Sequence, residues 1–139
     1  MAELPDEVRA LFDGPNYGHV ATLMPDGSPH SVAVWVGLED DRIVFFTQTT
    51  SLKARNLERD PRVAISMVDH GDPYLTARIR GRVVRTTTGD EAWEVIDRMA
   101  VRYTGEPFPF RPPTSIVYFV EPTKVGSMQL PFQHRPATA

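Results

Sequence analysis

The segment Ser51-Leu52-Lys53-Ala54-Arg55-Asn56 places a hydroxyl, an ammonium and a guanidinium at the start of a stretch with helical spacing. Ser51 suits an N-cap, Leu52, Arg55 and the Asn56/Leu57 pair repeat at helical spacing, and Pro61 closes the element. A helix N-terminus presents free N–H groups and a positive dipole end, so the chemistry this segment suits is anion binding. Lys53 adds a mobile point charge and Arg55 a bidentate grip, although two residues further on it points elsewhere around the helix. On position alone, Lys53 reads as a solvated helix residue. A second group of cations, Arg78, Arg80 and Arg82, alternates along one strand face. It reads as a solvated face for at least two of the three, or as an electropositive wall for a polyanion. His19, His30, His70 and His134 show no metal-ligand spacing. His30 opens a strand, where it either touches a ligand or sits at the surface. With no cysteine, thiolate catalysis, iron–sulfur clusters, disulfides and Cys-ligated zinc are excluded. No nucleophile elbow, Walker loop or G-x-G-x-x-G occurs.

These residues need elements to position them. Residues 5–13 read as a short helix with Val8, Leu11 and Phe12 on one face, ended by Gly14-Pro15-Asn16. Residues 18–24 are a strand. Pro25-Asp26-Gly27-Ser28 is a turn in which Pro presets φ and Gly accepts a positive φ. Residues 29–38 form a second strand, Glu39–Arg42 a turn and Ile43–Thr47 a third strand, so the spacing predicts an antiparallel meander. After the helix at 51–60 come strands at Arg62–Val68 and Tyr74–Thr87, separated by the turn Asp69–Pro73. Gly81, inside the second of these, marks a bulge or a close backbone approach. Residues 89–103 form the strongest helix, with a core stripe of Trp93, Ile96, Met99, Ala100 and Tyr103. The stretch 104–113 (TGEPFPFRPP) is too proline-rich for a regular element. It reads as a rigid loop packed on the barrel or a partner, or as the lid of a substrate channel. Ser115–Val120 is a last strand, interrupted or edged by Pro122 and continued by Lys124–Met128, and the tail 133–139 is loose. The order α-β-β-β-α-β-β-α-β predicts a mainly β (α+β) domain, an antiparallel barrel with short helices at its ends.

A chain of 139 residues fits one domain over 1–139 and can bury a core without staples. The net charge of −3, with both signs interspersed, gives no basic block for nucleic acid. Thirteen arginines against two lysines reads as genome composition before it reads as ligand chemistry. The opening MAELPDEVRALF is acidic and has no long apolar run, so neither a signal peptide nor a membrane span is expected, and the expected location is cytoplasmic.

Three motifs in order carry a resemblance: the hairpin G18-H-V-A-T-L-M-P-D-G-S-P-H-S-V-A-V-W-V, the helix–strand unit I43-V-F-F-T-Q-T-T-S-L-K-A-R-N-L-E-R-D-P-R-V-A-I, and the I-x-G-x-V of residues 79–83. Together, over about residues 6–128, they resemble the pyridoxamine-5′-phosphate-oxidase-like superfamily. More narrowly they resemble its actinobacterial branch of B-type flavin/deazaflavin oxidoreductases, which use coenzyme F420. The resemblance implies a split β-barrel of the FMN-binding type and a homodimer enclosing two cofactor sites. It implies that Val32, Val34, Phe46 and Thr47 line the ring, and that Gln48, Thr49, Ser51, Lys53, Arg55 and Asn56 surround the phosphate. Tyr74 would approach the site of the other subunit. Members that use FMN tend to carry extra basic residues where this chain has Ser31 and Leu52, which favours F420 over FMN. The implied activity is hydride transfer from reduced deazaflavin to a small conjugated or electron-poor molecule. The proton would come from solvent, or from Tyr74 or His30. The alternatives are an FMN-dependent oxidase and a non-catalytic F420 or tetrapyrrole carrier, with no nucleic acid or membrane partner.

Overall fold

In the computed structural model, which describes residues 1–138, the chain runs α1 (Asp6–Asp13), β1 (Gly18–Leu23), β2 (Pro29–Val34), β3 (Gly37–Glu39), β4 (Arg42–Gln48), α2 (Leu52–Arg59), β5 (Arg62–Val68), β6 (Leu75–Thr87), α3 (Gly89–Thr104) and β7 (Ser115–Gln129). All seven strands join one antiparallel sheet in the order β2-β1-β5-β6-β7-β4-β3. The two edge strands, β2 and β3, follow each other in the chain. Only Trp35 and Val36 lie between them, and the three steps from Val34 to Gly37 span at most about 11 Å. The two sheet edges must therefore approach each other, which curls the sheet into a barrel with a split beside β2.

This topology corrects one sequence expectation and resolves another. The run 29–38 is not one strand. It breaks at Trp35-Val36, where the chain leaves the β1 side of the sheet and joins β4 at the other edge. The meander holds for the hairpins β1–β2 and β3–β4 but not across that break. In the other direction, Ser115–Gln129 is one strand, so Lys124–Met128 does continue it and Pro122 does not interrupt it. Pro122 is accommodated because the β6–β7 ladder slips a register beside it, between Arg80 and Gly81. Gly81 is needed there: a Cβ on it would lie 2.6 Å from the Glu121 carbonyl oxygen. A second slip, between Val83 and Arg85, has no glycine to announce it.

Two apolar clusters follow. Inside the barrel, Val20, Ile43, Phe45, Ile65, Ile79 and Val120 pack with Val8, Leu11 and Phe12 of α1 and with Ala54 and Leu57 of α2. Outside it, α3 lies on the far side of β4 and β7, where Val44, Val117 and Phe119 meet Ala92, Val95, Ile96 and Met99. The buried stripe of α3 thus runs through Ala92 and Val95, while Trp93 and Tyr103, expected in the core, are half-buried at its flanks. The rest of the outer surface, across β2, β1, β5 and β6, carries no helix. It is paved with small side chains, among them Ala21, Ser31, Ala64 and Ser66, and is crossed by Arg78, Arg80 and Lys124, which form shallow grooves of about 340 and 390 Å³. Among the described residues, no helix is long and apolar enough to cross a membrane.

Candidate functional site

The α2 N-terminus forms as its sequence dictates. Ser51, in extended backbone, caps the helix by accepting the Ala54 N–H at 3.1 Å. Its hydroxyl also accepts from Thr47 Oγ1 at 3.0 Å, which ties the helix start to the end of β4. The Ser51 N–H donates to the Gln48 carbonyl, and the Thr49 N–H to the Thr114 carbonyl. The Gln48 side chain is held by Thr114 and by Ser115 Oγ, the latter at 3.1 Å. Thr47, Gln48, Thr49, Ser51 and Lys53 are therefore brought together at one end of the barrel. Among the described residues, the N–H groups of Leu52 and Lys53 have no acceptor, as expected for the first turn of a helix.

Charge sets this terminus apart. The first turns of α1 and α3 carry Asp6 and Glu7, and Asp90 and Glu91, each complementing the positive helix end. The first turn of α2 has no acidic residue and carries Lys53 instead. Lys53 is half-buried, forms no ion pair among the described residues, and burial lowers its ammonium pKa from the ordinary lysine value. An unpaired, desolvated cation at a positive helix end is an unfavourable arrangement that a bound anion would relieve.

Two of the expected phosphate contacts are placed otherwise. Asn56 is 1% exposed; its amide donates to Thr22 Oγ1 at 3.0 Å and its carbonyl accepts from Arg59 at 3.1 Å, so it pins α2 to β1. Arg55 is exposed on another side of the helix. On the neighbouring edge strand, His30 pairs in register with Thr22, and its buried Nδ1 has no hydrogen-bond partner. Such an orphaned polar atom beside the helix fits a site completed by a further group.

The expected ring-lining residues divide. Val34 and Phe46 face one cleft of about 270 Å³, shared with Tyr17, Ala33, Trp35 and Phe108. Val32 lies deeper on β2, opposite Val20. Tyr74 stands at the other end of the sheet from α2, its ring meeting Phe132 edge-on with centroids 5.4 Å apart. Within one chain it does not reach Lys53. Tyr17 and Trp35 carry no signal in the sequence that marks them for this cleft, whereas Phe108 belongs to the 104–113 loop read there as a packed loop or a channel lid.

Comparison with known proteins matches the family described as pyridoxamine 5′-phosphate oxidase to residues 4–129. The chain belongs to that family. Among curated members it is 37% identical over 89 residues to a pyridoxine/pyridoxamine 5′-phosphate oxidase of Azorhizobium caulinodans, a match covering 63% of this chain and 41% of that protein. It is 28% identical over 153 residues to one of Rubrobacter xylanophilus, covering 89% of this chain and 70% of the relative. The chain thus spans well under half the length of the first of these relatives. Among solved structures it is similar to one named F420 reductase, with a TM-score of 0.78 and 29% identity, covering 88% of this chain and 98% of that one. A conserved hypothetical protein of Mycobacterium tuberculosis shares the fold at a TM-score of 0.79 and 23% identity, over 99% and 95% of the two chains. The pyridoxamine 5′-phosphate oxidase family and the antiparallel α+β split barrel are as the three motifs implied. The relatives whose names state an activity are oxidoreductases.

Proposed function

We propose that this chain is an F420-dependent oxidoreductase that works as a homodimer. The observation that carries the reading is Lys53: a half-buried cation without a carboxylate partner, at a helix start whose first amides are free. The residues present fit a phosphorylated ring cofactor. Lys53, Ser51, Thr49 and the first amides of α2 would hold its phosphate, and Val34, Phe46 and Thr47 its ring. When bound, F420 in its reduced form supplies a hydride to an electron-poor acceptor. The chain's own part is to fix the ring by its phosphate end, to keep one face of it against β2 and β4, and to exclude water there. No side chain is required as a base. His30 and Tyr74 are the residues that could hold a proton, with Tyr74 reaching the site only from the partner chain. The helix-free outer face, small-residued and crossed by Arg78, Arg80 and Lys124, is the surface a second copy would cover.

The F420 assignment is supported by the similar reductase structure and by the lack of added basic residues at Ser31 and Leu52. The curated relatives are instead named pyridoxine/pyridoxamine 5′-phosphate oxidases, which keeps an FMN-dependent oxidase as the alternative. Titration with each cofactor, followed by fluorescence, separates the two. Saturable F420 binding with weak FMN binding is expected, and a protein that is yellow as purified and releases FMN on denaturation would overturn it. Oxidation of the reduced cofactor by added acceptors separates an enzyme from a carrier. A dimer mass by light scattering is expected; a monomer would remove the shared site.

A further inference from the structure

The cleft containing Val34 and Phe46 has a second wall that the cofactor reading does not use. Trp35 is stacked on Tyr103, with centroids 5.1 Å apart and planes within 6°. Tyr103 is itself fixed, its hydroxyl donating to the Asn16 carbonyl at 2.6 Å and accepting the Val36 N–H at 3.1 Å. Phe108 meets Phe46 at 89° and Trp35 at 78°, with centroids 5.5 and 6.0 Å away. Its loop is latched: Asp97 accepts the Phe108 N–H at 3.1 Å and the Arg111 guanidinium at 2.8 Å, and Arg111 donates back to the Phe108 carbonyl at 2.7 Å. The aromatic wall is therefore rigid before any ligand arrives, and such preorganisation favours binding.

None of the six side chains lining the cleft carries a charge. Beside it, Arg111 donates to Asp97 and Arg102 to the Val36 carbonyl. The cleft, about 270 Å³ and open to solvent, lies just below the usual range for drug-sized ligands, so an acceptor seated beside the cofactor ring would be small. Perpendicular aromatic walls offer a flat guest one face-on and one edge-on contact. A phosphorylated pyridoxamine would find no cation here, and desolvating its phosphate would count against it.

We infer that Tyr17, Trp35 and Phe108 form the acceptor subsite, and that it selects uncharged, planar aromatic molecules over phosphorylated ones. The inference rests on the cofactor reading, which puts the ring on the Val34 side of the same cleft. Asp97 is a positioning residue that acts through the Phe108 loop.

The test is calorimetric. F420 is titrated first into wild-type protein, Phe108→Leu and Tyr17→Ser. The F420-saturated proteins are then titrated with 2-naphthamide, with its saturated counterpart cyclohexanecarboxamide, and with pyridoxamine 5′-phosphate. Expected are saturable naphthamide binding, weakened about tenfold in each variant, much weaker binding of the other two ligands, and unchanged F420 affinity. Three results would overturn the inference: no saturable naphthamide binding, equal binding to wild type and both variants, or tighter binding of pyridoxamine 5′-phosphate. If F420 itself does not bind, the cofactor reading has failed, and the naphthamide isotherms on the protein alone still judge the cleft. Phe108→Leu could loosen its loop; Tyr17, 55% exposed, can be changed without that consequence, and melting curves check both.

Discussion

Helices α3 and α2 meet the same barrel in opposite ways. α3 has sixteen residues, buries five of them, and satisfies its positive end with Asp90 and Glu91. α2 has eight residues and buries three, one of which is a polar asparagine. Its positive end is capped by one serine hydroxyl and then burdened with a half-buried lysine. Ordinary packing and helix electrostatics account for α3 completely. For α2 they leave Lys53 without a counter-charge among the described residues. Stability resides in α3, and the proposed ligand chemistry in α2.

Mutations can break that contrast. The largest expected effect on folding is at α3, where Ile96 is fully buried between the helix and β4–β7. Ile96→Ala should lower unfolding free energy by about 2–5 kcal/mol in urea titrations while leaving cofactor affinity unchanged in the fraction that remains folded. Next, Lys53→Ala should leave the melting temperature unchanged or raise it, yet weaken F420 binding by about 1–3 kcal/mol, since a charge-assisted contact is lost. Smaller again, Ser51→Ala removes the cap and should cost about 1 kcal/mol of stability by denaturant titration.

The titration of Lys53 sharpens the comparison further. Burial lowers its pKa in the folded chain, so the unfolded chain holds this proton more tightly. The unfavourable burial of the charged form is therefore fully present at neutral pH and is relieved as pH rises from the folded toward the unfolded pKa. Binding of the phosphate should run the opposite way, weakening as pH rises through the lowered pKa. Lys53→Arg, which stays protonated, should abolish that alkaline loss of affinity, as read by titrations across pH.

The parts of the fold visible in the sequence are those determined locally. Pro25-Asp26-Gly27-Ser28 forms its turn with Gly27 at positive φ and Asp26 accepting from Ser28. Ser51 and Pro61 bound α2 because a cap and a missing donor act on their immediate neighbours. The break at Trp35-Val36 was invisible because apolar residues continue through it, while its cause is the pairing of β3 with β4. Pro122 passes through β7 only because the partner strand supplies Gly81, forty-one positions earlier. The end of the site proposed to bind an anion could be picked out because its residues, Thr47 to Lys53, are consecutive in the chain. Asn56 misled for a related reason: its polar side chain follows that stretch by three positions on the same helix, but Thr22, from another strand, turns it inward. The aromatic cleft was out of reach, since Tyr17, Trp35, Phe46 and Phe108 converge only after the sheet closes.

The most direct measurement is a fluorescence titration of F420 into wild-type protein and Lys53→Glu, with both melted in parallel. An acidic residue in the first turn of α2, the pattern present at α1 and α3, should stabilise the fold by about 0.3–1 kcal/mol. The account predicts a variant that melts as high as wild type or higher and binds F420 at least tenfold more weakly. Equal affinity in the two proteins would contradict it.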